Sequence, residues 1–68
     1  MKYTVIIEKG KSSYGAYVPD LPGCVAAAKT EREVVNLISE AIELHLDDMR
    51  HSGHRPPRPV AKAELVEV

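Results

Sequence analysis

Phenylalanine and tryptophan are absent from this 68-residue sequence, and tyrosine occurs only three times. The interior therefore has to be assembled from Val, Ala, Leu and Ile, side chains that each bury only a modest area. A single cysteine, Cys24, excludes an internal disulfide and fits a reducing compartment. No apolar signal segment opens the chain, and no run approaches the ~18 apolar residues that a membrane span requires. A soluble, cytoplasmic protein is expected. Neither sign of charge dominates: nine Lys and Arg face ten Asp and Glu, a net charge of -1. That balance gives no whole-molecule attraction to nucleic acid or membrane, so binding to either would need a local patch.

A chain this short forms one domain and buries only roughly 60% of its unfolded surface. Small cores are commonly supplemented by disulfides, metals or self-association. With a disulfide excluded, self-association as a homo-oligomer, a dimer or a tetramer, is the expected supplement.

The sequence turns on Tyr14 to Cys24, YGAYVPDLPGC. Tyr14, Ala16 and Val18 alternate with Gly15 and Tyr17, the two-residue period of a strand. Pro19 then removes a backbone donor, and Pro22-Gly23 supplies a fixed φ followed by a permissive residue, so the chain must turn before Cys24. Upstream, Lys2 to Lys9 reads as a first strand rich in β-branched residues, with Tyr3, Val5 and Ile7 on one side. Gly10 to Ser13 is a hairpin connection. Downstream, Cys24 to Ala28 is a short third strand, again antiparallel, which completes a three-stranded meander.

Thr30-Glu-Arg-Glu33 fits a capping box and opens a helix. The helix continues to about His51, with Gly53 placed to end it and Arg50 and His51 complementing its negative end. On a 3.6-residue period, Val34, Ile38, Ala41, Ile42, His45 and Met49 share a face, flanked by Leu37 and Leu44 on one side and Val35 and Leu46 on the other. This apolar arc spans roughly 200°, wider than one sheet can cover. The flanking residues Leu37, Leu44, Val35 and Leu46 are therefore the expected oligomer interface. The opposite face carries Glu33, Glu40, Glu43 and Asp47. Past the helix, His54 to Pro59 is a polyproline-like crossover, and Val60 to Val68 predicts a last strand parallel to strand one. The expected fold is α+β in the order β-β-β-α-β, with the helix packed on one face of the sheet.

This order is the opening of a ribonuclease H-like fold, whose chemistry requires clustered carboxylates around Mg²⁺. The first strand offers Tyr3, Thr4, Val5, Ile6 and Ile7, with only Glu8 near its end, so neither a metal clamp nor catalysis is expected. Cys24 has no histidine oriented toward it by a local motif and reads as a small buried residue. His45 reads as a core or interface imidazole. Asp47, Asp48, His51 and His54 have a generic metal-ligand spacing at a helix end. No cofactor and no metal site is expected. The cluster Arg50, His51, His54, Arg55, Arg58 and Lys62 has the charge to meet a phosphate backbone but no neighbouring aromatics on which bases could stack. Weak nucleic-acid binding through Arg50 to Lys62 stands as an alternative. The acidic stripe reads as a solvated face or as a docking surface for a basic partner.

Tyr17, Pro19, Asp20, Leu21, Pro22, Gly23 and Cys24, followed by Thr30 and Glu33 opening a helix with Ser39-Glu-Ala-Ile42, resemble the HicB family of antitoxins and HicB-like small proteins. The resemblance runs over nearly the whole chain. It implies a partial ribonuclease H-like domain without the active site, and an antitoxin that binds and masks HicA, a small basic mRNA-cleaving toxin. Many family members add a helix-turn-helix or ribbon-helix-helix segment that binds operator DNA. No such segment is recognised here, so a single HicB-like domain over residues 1–68 without a C-terminal DNA-binding domain is expected. The expected function is a non-enzymatic antitoxin, with Glu33, Glu40, Glu43 and Asp47 contacting the toxin. The alternative is a solitary HicB-like homo-oligomer with a regulatory or structural role and no toxin.

Overall fold

The computed structural model describes all residues, Met1–Val68. Three strands, β1 (Ile6–Lys9), β2 (Tyr14–Tyr17) and β3 (Val25–Ala28), precede one helix, α1 (Glu31–His51). The strands form an antiparallel sheet in the order β1-β2-β3. The fold is α+β, as the sequence predicts.

Register follows from the alternation along β2. Ala16 lies opposite Ile7 on one side and Ala26 on the other, while Tyr17 lies opposite Ile6 and Val25. Because side chains alternate between faces, the Ala16 row faces the helix and the Tyr17 row faces away from it. The small residues on the inner row let α1 approach β2 and β3. The core comprises Ala16, Val18, Leu21, Cys24, Val34 and Ile38. Tyr3, Val5, Tyr14, Ala26, Ala28, Ala41, Ile42 and Leu46 pack around it, partly buried.

The helix begins and ends by the predicted devices. Thr30 is extended, its hydroxyl accepts from the Glu33 N–H at 3.1 Å, and the same hydroxyl lies 3.0 Å from the Glu33 carboxylate. At the other end Gly53 takes φ 79°. Its N–H donates to the Arg50 carbonyl at 3.0 Å and the His54 N–H to the Met49 carbonyl at 2.8 Å, the paired bonds of a Schellman motif.

Two expectations are corrected. The first strand starts at Ile6 rather than Lys2, although Tyr3 and Val5 still pack on the core. No final strand forms: residues 54–68 have no regular secondary structure. The physical reason lies in where their N–H groups go. Pro56, Pro57 and Pro59 have none to give a ladder. The N–H groups of Val60 and Ala61 both donate to one oxygen of the Asp20 carboxylate, at 3.1 and 3.0 Å. The segment still passes beside the start of the chain, since the Tyr3 hydroxyl donates to the Pro57 carbonyl and the Thr4 hydroxyl to the Ala61 carbonyl at 2.8 Å.

Candidate functional site

The loop between β2 and β3 is two consecutive turns closed like a clasp. Leu21 N–H donates to the Val18 carbonyl at 3.0 Å across Pro19-Asp20, and Cys24 N–H to the Leu21 carbonyl at 3.0 Å across Pro22-Gly23. Gly23 has φ 86°, the positive value that the third position of a type II turn demands. Val18 N–H donates to the Cys24 carbonyl at 3.2 Å and extends the β2–β3 register by one pair. These turns drive Val18, Leu21 and Cys24 inward, all buried, and leave Pro19, Pro22 and Gly23 outside. Burial pushes the Cys24 thiol pKa up, so at neutral pH it is a protonated, poorly nucleophilic group.

Each motif residue thus has a place. Asp20 is the one whose role escapes the sequence: it fastens the segment after the helix. Its partners are 40 and 41 positions away, and no local pattern encodes a pairing at that distance. Tyr17 lies exposed on the sheet face turned away from α1, in one row with Ile6 and Val25.

The acidic residues on α1 are all exposed, but two are already engaged. Glu33 serves the cap, and Asp47 lies 3.4 Å from the exposed Arg50 guanidinium. Glu40 and Glu43 make no ion pair and no side-chain hydrogen bond, which leaves them as the free anionic centre of the stripe. Behind them Val34 and Ile38 are 0% and 1% exposed, so this surface is backed by the tightest part of the core.

The four expected interface residues divide. Leu46 is half-buried against the core, whereas Val35, Leu37 and Leu44 are exposed, Leu44 at 70%. The body of the fold therefore covers the centre of the apolar arc and, of its two edges, only the Leu46 position. In the basic cluster, Arg50 is partnered by Asp47 and a His51 ring nitrogen sits 2.7 Å from the Asp47 carbonyl. Arg55, Arg58 and Lys62 are exposed. No three His, Cys, Asp or Glu side chains come together in a metal-binding arrangement. No helix is long and apolar enough to cross a membrane.

Comparison with known proteins adds lineage to this geometry. The family model described as HicB-like antitoxin of bacterial toxin-antitoxin system matches residues 3–67. A UPF0150 protein of Thermoplasma acidophilum is 41% identical over 59 residues, 85% of this chain and 86% of the relative. A UPF0150 protein of Helicobacter pylori is 45% identical over 49 residues, 72% of this chain and 68% of the relative. One from Archaeoglobus fulgidus is 44% identical over 48 residues, 69% and 70% of the two chains. No solved structure matches significantly. The family match takes in the closed loop, the capped helix and nearly all of the segment that follows, and the chain accordingly belongs to the HicB-like antitoxins of bacterial toxin–antitoxin systems.

Proposed function

We propose that this protein is a non-enzymatic antitoxin that binds a small, basic, mRNA-cleaving toxin of the HicA kind in the cytoplasm and masks its cationic surface. The reading rests on family membership together with one structural observation: Glu40 and Glu43 stand exposed and unpaired on a helix face backed by buried Val34 and Ile38. A rigid anionic face of this kind complements a cationic ribonuclease surface and steers its approach electrostatically. The protein contributes binding and occlusion, with no bond made or broken. Self-association, as a dimer or tetramer, is part of the same proposal, and exposed Leu37 and Leu44 support it.

The test is co-expression with a small basic HicA-type protein, sought first in the adjacent reading frames, followed by pull-down and an mRNA cleavage assay. A stable complex with suppressed cleavage is expected. The double substitution Glu40→Lys and Glu43→Lys should weaken that complex and flatten its salt dependence while the helical circular dichroism stays unchanged. Affinity unchanged by the double substitution would remove the acidic face from the account. Failure to bind any such neighbour would remove the toxin.

A further inference from the structure

The segment after Ala61 has a strand-like sequence but joins no sheet, and the sheet has an edge without a strand. From Lys62 to Val68 every residue is exposed, Leu65 at 103% and Val68 at 117%. No backbone-to-backbone hydrogen bond ties residues 55–68 to the body. The start of this arm is nevertheless fixed, because Asp20 holds the Val60 and Ala61 N–H groups and Thr4 holds the Ala61 carbonyl. These anchors stop at Thr4. Beyond it, the outer edge of β1 from Ile6 to Lys9 has no partner strand, since β1 pairs only with β2.

We propose that residues 62–68 form an exchanged arm, and that the arm of one copy pairs with the outer β1 edge of a second copy while that copy's arm returns the exchange. The inference rests on the self-association proposed above and specifies its means. Three observations favour this occupant. The arm and the vacant edge belong to the same chain yet remain apart in it, so a two-fold pair of chains satisfies both at once and closes, the usual form of a reciprocal exchange. Charge matches: beyond Ala61 the arm carries Glu64 and Glu67 against Lys62, while β1 and its turn carry Lys9 and Lys11 against Glu8. Reach matches as well, because residues 62–68, if fully extended, would span about 23 Å at ~3.3 Å per residue, enough to leave their own body and still cover a short strand.

The other free edge, β3, is a poorer acceptor. Its Val25-Ala-Ala-Ala28 sequence offers little cross-strand packing, whereas β1 presents β-branched Ile6 and Ile7. An unpaired edge of this kind is otherwise a liability for uncontrolled association. Pairing it with a dedicated arm removes that liability.

The experiment uses the full chain. Sedimentation should show a discrete oligomer, and Leu65→Pro, which interrupts strand pairing in a segment outside the core, should weaken self-association by about tenfold or more with the helical signal retained. In parallel, a chain carrying Glu8→Cys is mixed with a tagged chain carrying Leu65→Cys under mild oxidation, the native buried Cys24 serving as the unreactive control. A disulfide between the two different chains is expected. Three results would overturn the exchange. The first is an intramolecular disulfide in the Glu8→Cys, Leu65→Cys double variant, which puts the arm on its own sheet. The second is an oligomer indifferent to Leu65→Pro with no mixed disulfide, which leaves self-association standing but through another surface. The third is a monomer at all concentrations, which removes self-association and the exchange together.

Discussion

Two irregular, proline-bearing segments of this protein behave in opposite ways. The loop from Val18 to Cys24 satisfies its backbone with three internal hydrogen bonds and buries Val18, Leu21 and Cys24. The segment from His54 to Val68 makes no backbone bond of its own beyond the helix stop and buries no side chain fully. A loop whose turns are encoded locally becomes part of the core. A segment held only by other residues' side chains, here Asp20, Tyr3 and Thr4, stays available for contact. Asp20 belongs to both: it sits in the first segment and fastens the second.

The largest test of this contrast substitutes the same residue type in each segment. Leu21→Ala, at a site 1% exposed, should destabilise by about 2–5 kcal/mol through lost burial and a residual cavity. Leu65→Ala, measured in urea at concentrations where the chain is monomeric, should change stability by less than about 0.5 kcal/mol. Equal effects would mean that the two segments are not different in kind.

The link between them comes next. Asp20→Ala deprives the Val60 and Ala61 N–H groups of their acceptor and should cost about 1–3 kcal/mol, with faster tryptic cleavage after Lys62, which Ala63 follows, as the arm's root loosens. Asp20→Asn retains an acceptor oxygen and should lose less. If both variants were as protease-resistant as the native chain, the anchoring would lie elsewhere.

Smaller effects sharpen the loop side. Gly23→Ala forces a Cβ into φ 86° and should cost ~1 kcal/mol in thermal unfolding. Thr30→Ala, which removes the cap acceptor, should cost a similar ~1 kcal/mol. The smallest effect is the pH dependence of Cys24. Its folded pKa is raised by burial, so the native state favours the protonated thiol. That contribution is fully present below the unfolded thiol's pKa of about 8.5 and is lost as pH rises through the folded value. Native protein should therefore lose slightly more urea resistance than Cys24→Ala between neutral and strongly alkaline pH, and alkylation of Cys24 should be slow until the protein unfolds.

What the sequence makes legible is local. Alternation along Tyr14 to Val18, the proline-glycine turn, the Thr30 to Glu33 cap and the Gly53 stop all act within a few residues, and the structure contains each of them. The periodicity of the helix likewise identifies Val34 and Ile38 as inward residues. The last strand fails for a non-local reason. The composition of Val60 to Val68 is strand-like, but Asp20, 40 residues upstream of Val60, takes the N–H groups with which a ladder beside β1 would begin. Of the candidate contact residues, the acidic stripe is exposed as its period requires. That Glu33 and Asp47 are engaged while Glu40 and Glu43 are free depends on side-chain partners that the helical period does not resolve.

Residue-resolved amide hydrogen exchange on the native chain, across a range of protein concentrations, tests the central claim that one segment completes the fold and the other awaits a partner. Val18, Leu21 and Cys24 amides should be among the slowest at every concentration. Amides from Lys62 to Val68 should exchange freely when dilute and become protected as the chain self-associates. Loop amides as fast as the arm's, or arm amides protected even in dilute monomer, would contradict it.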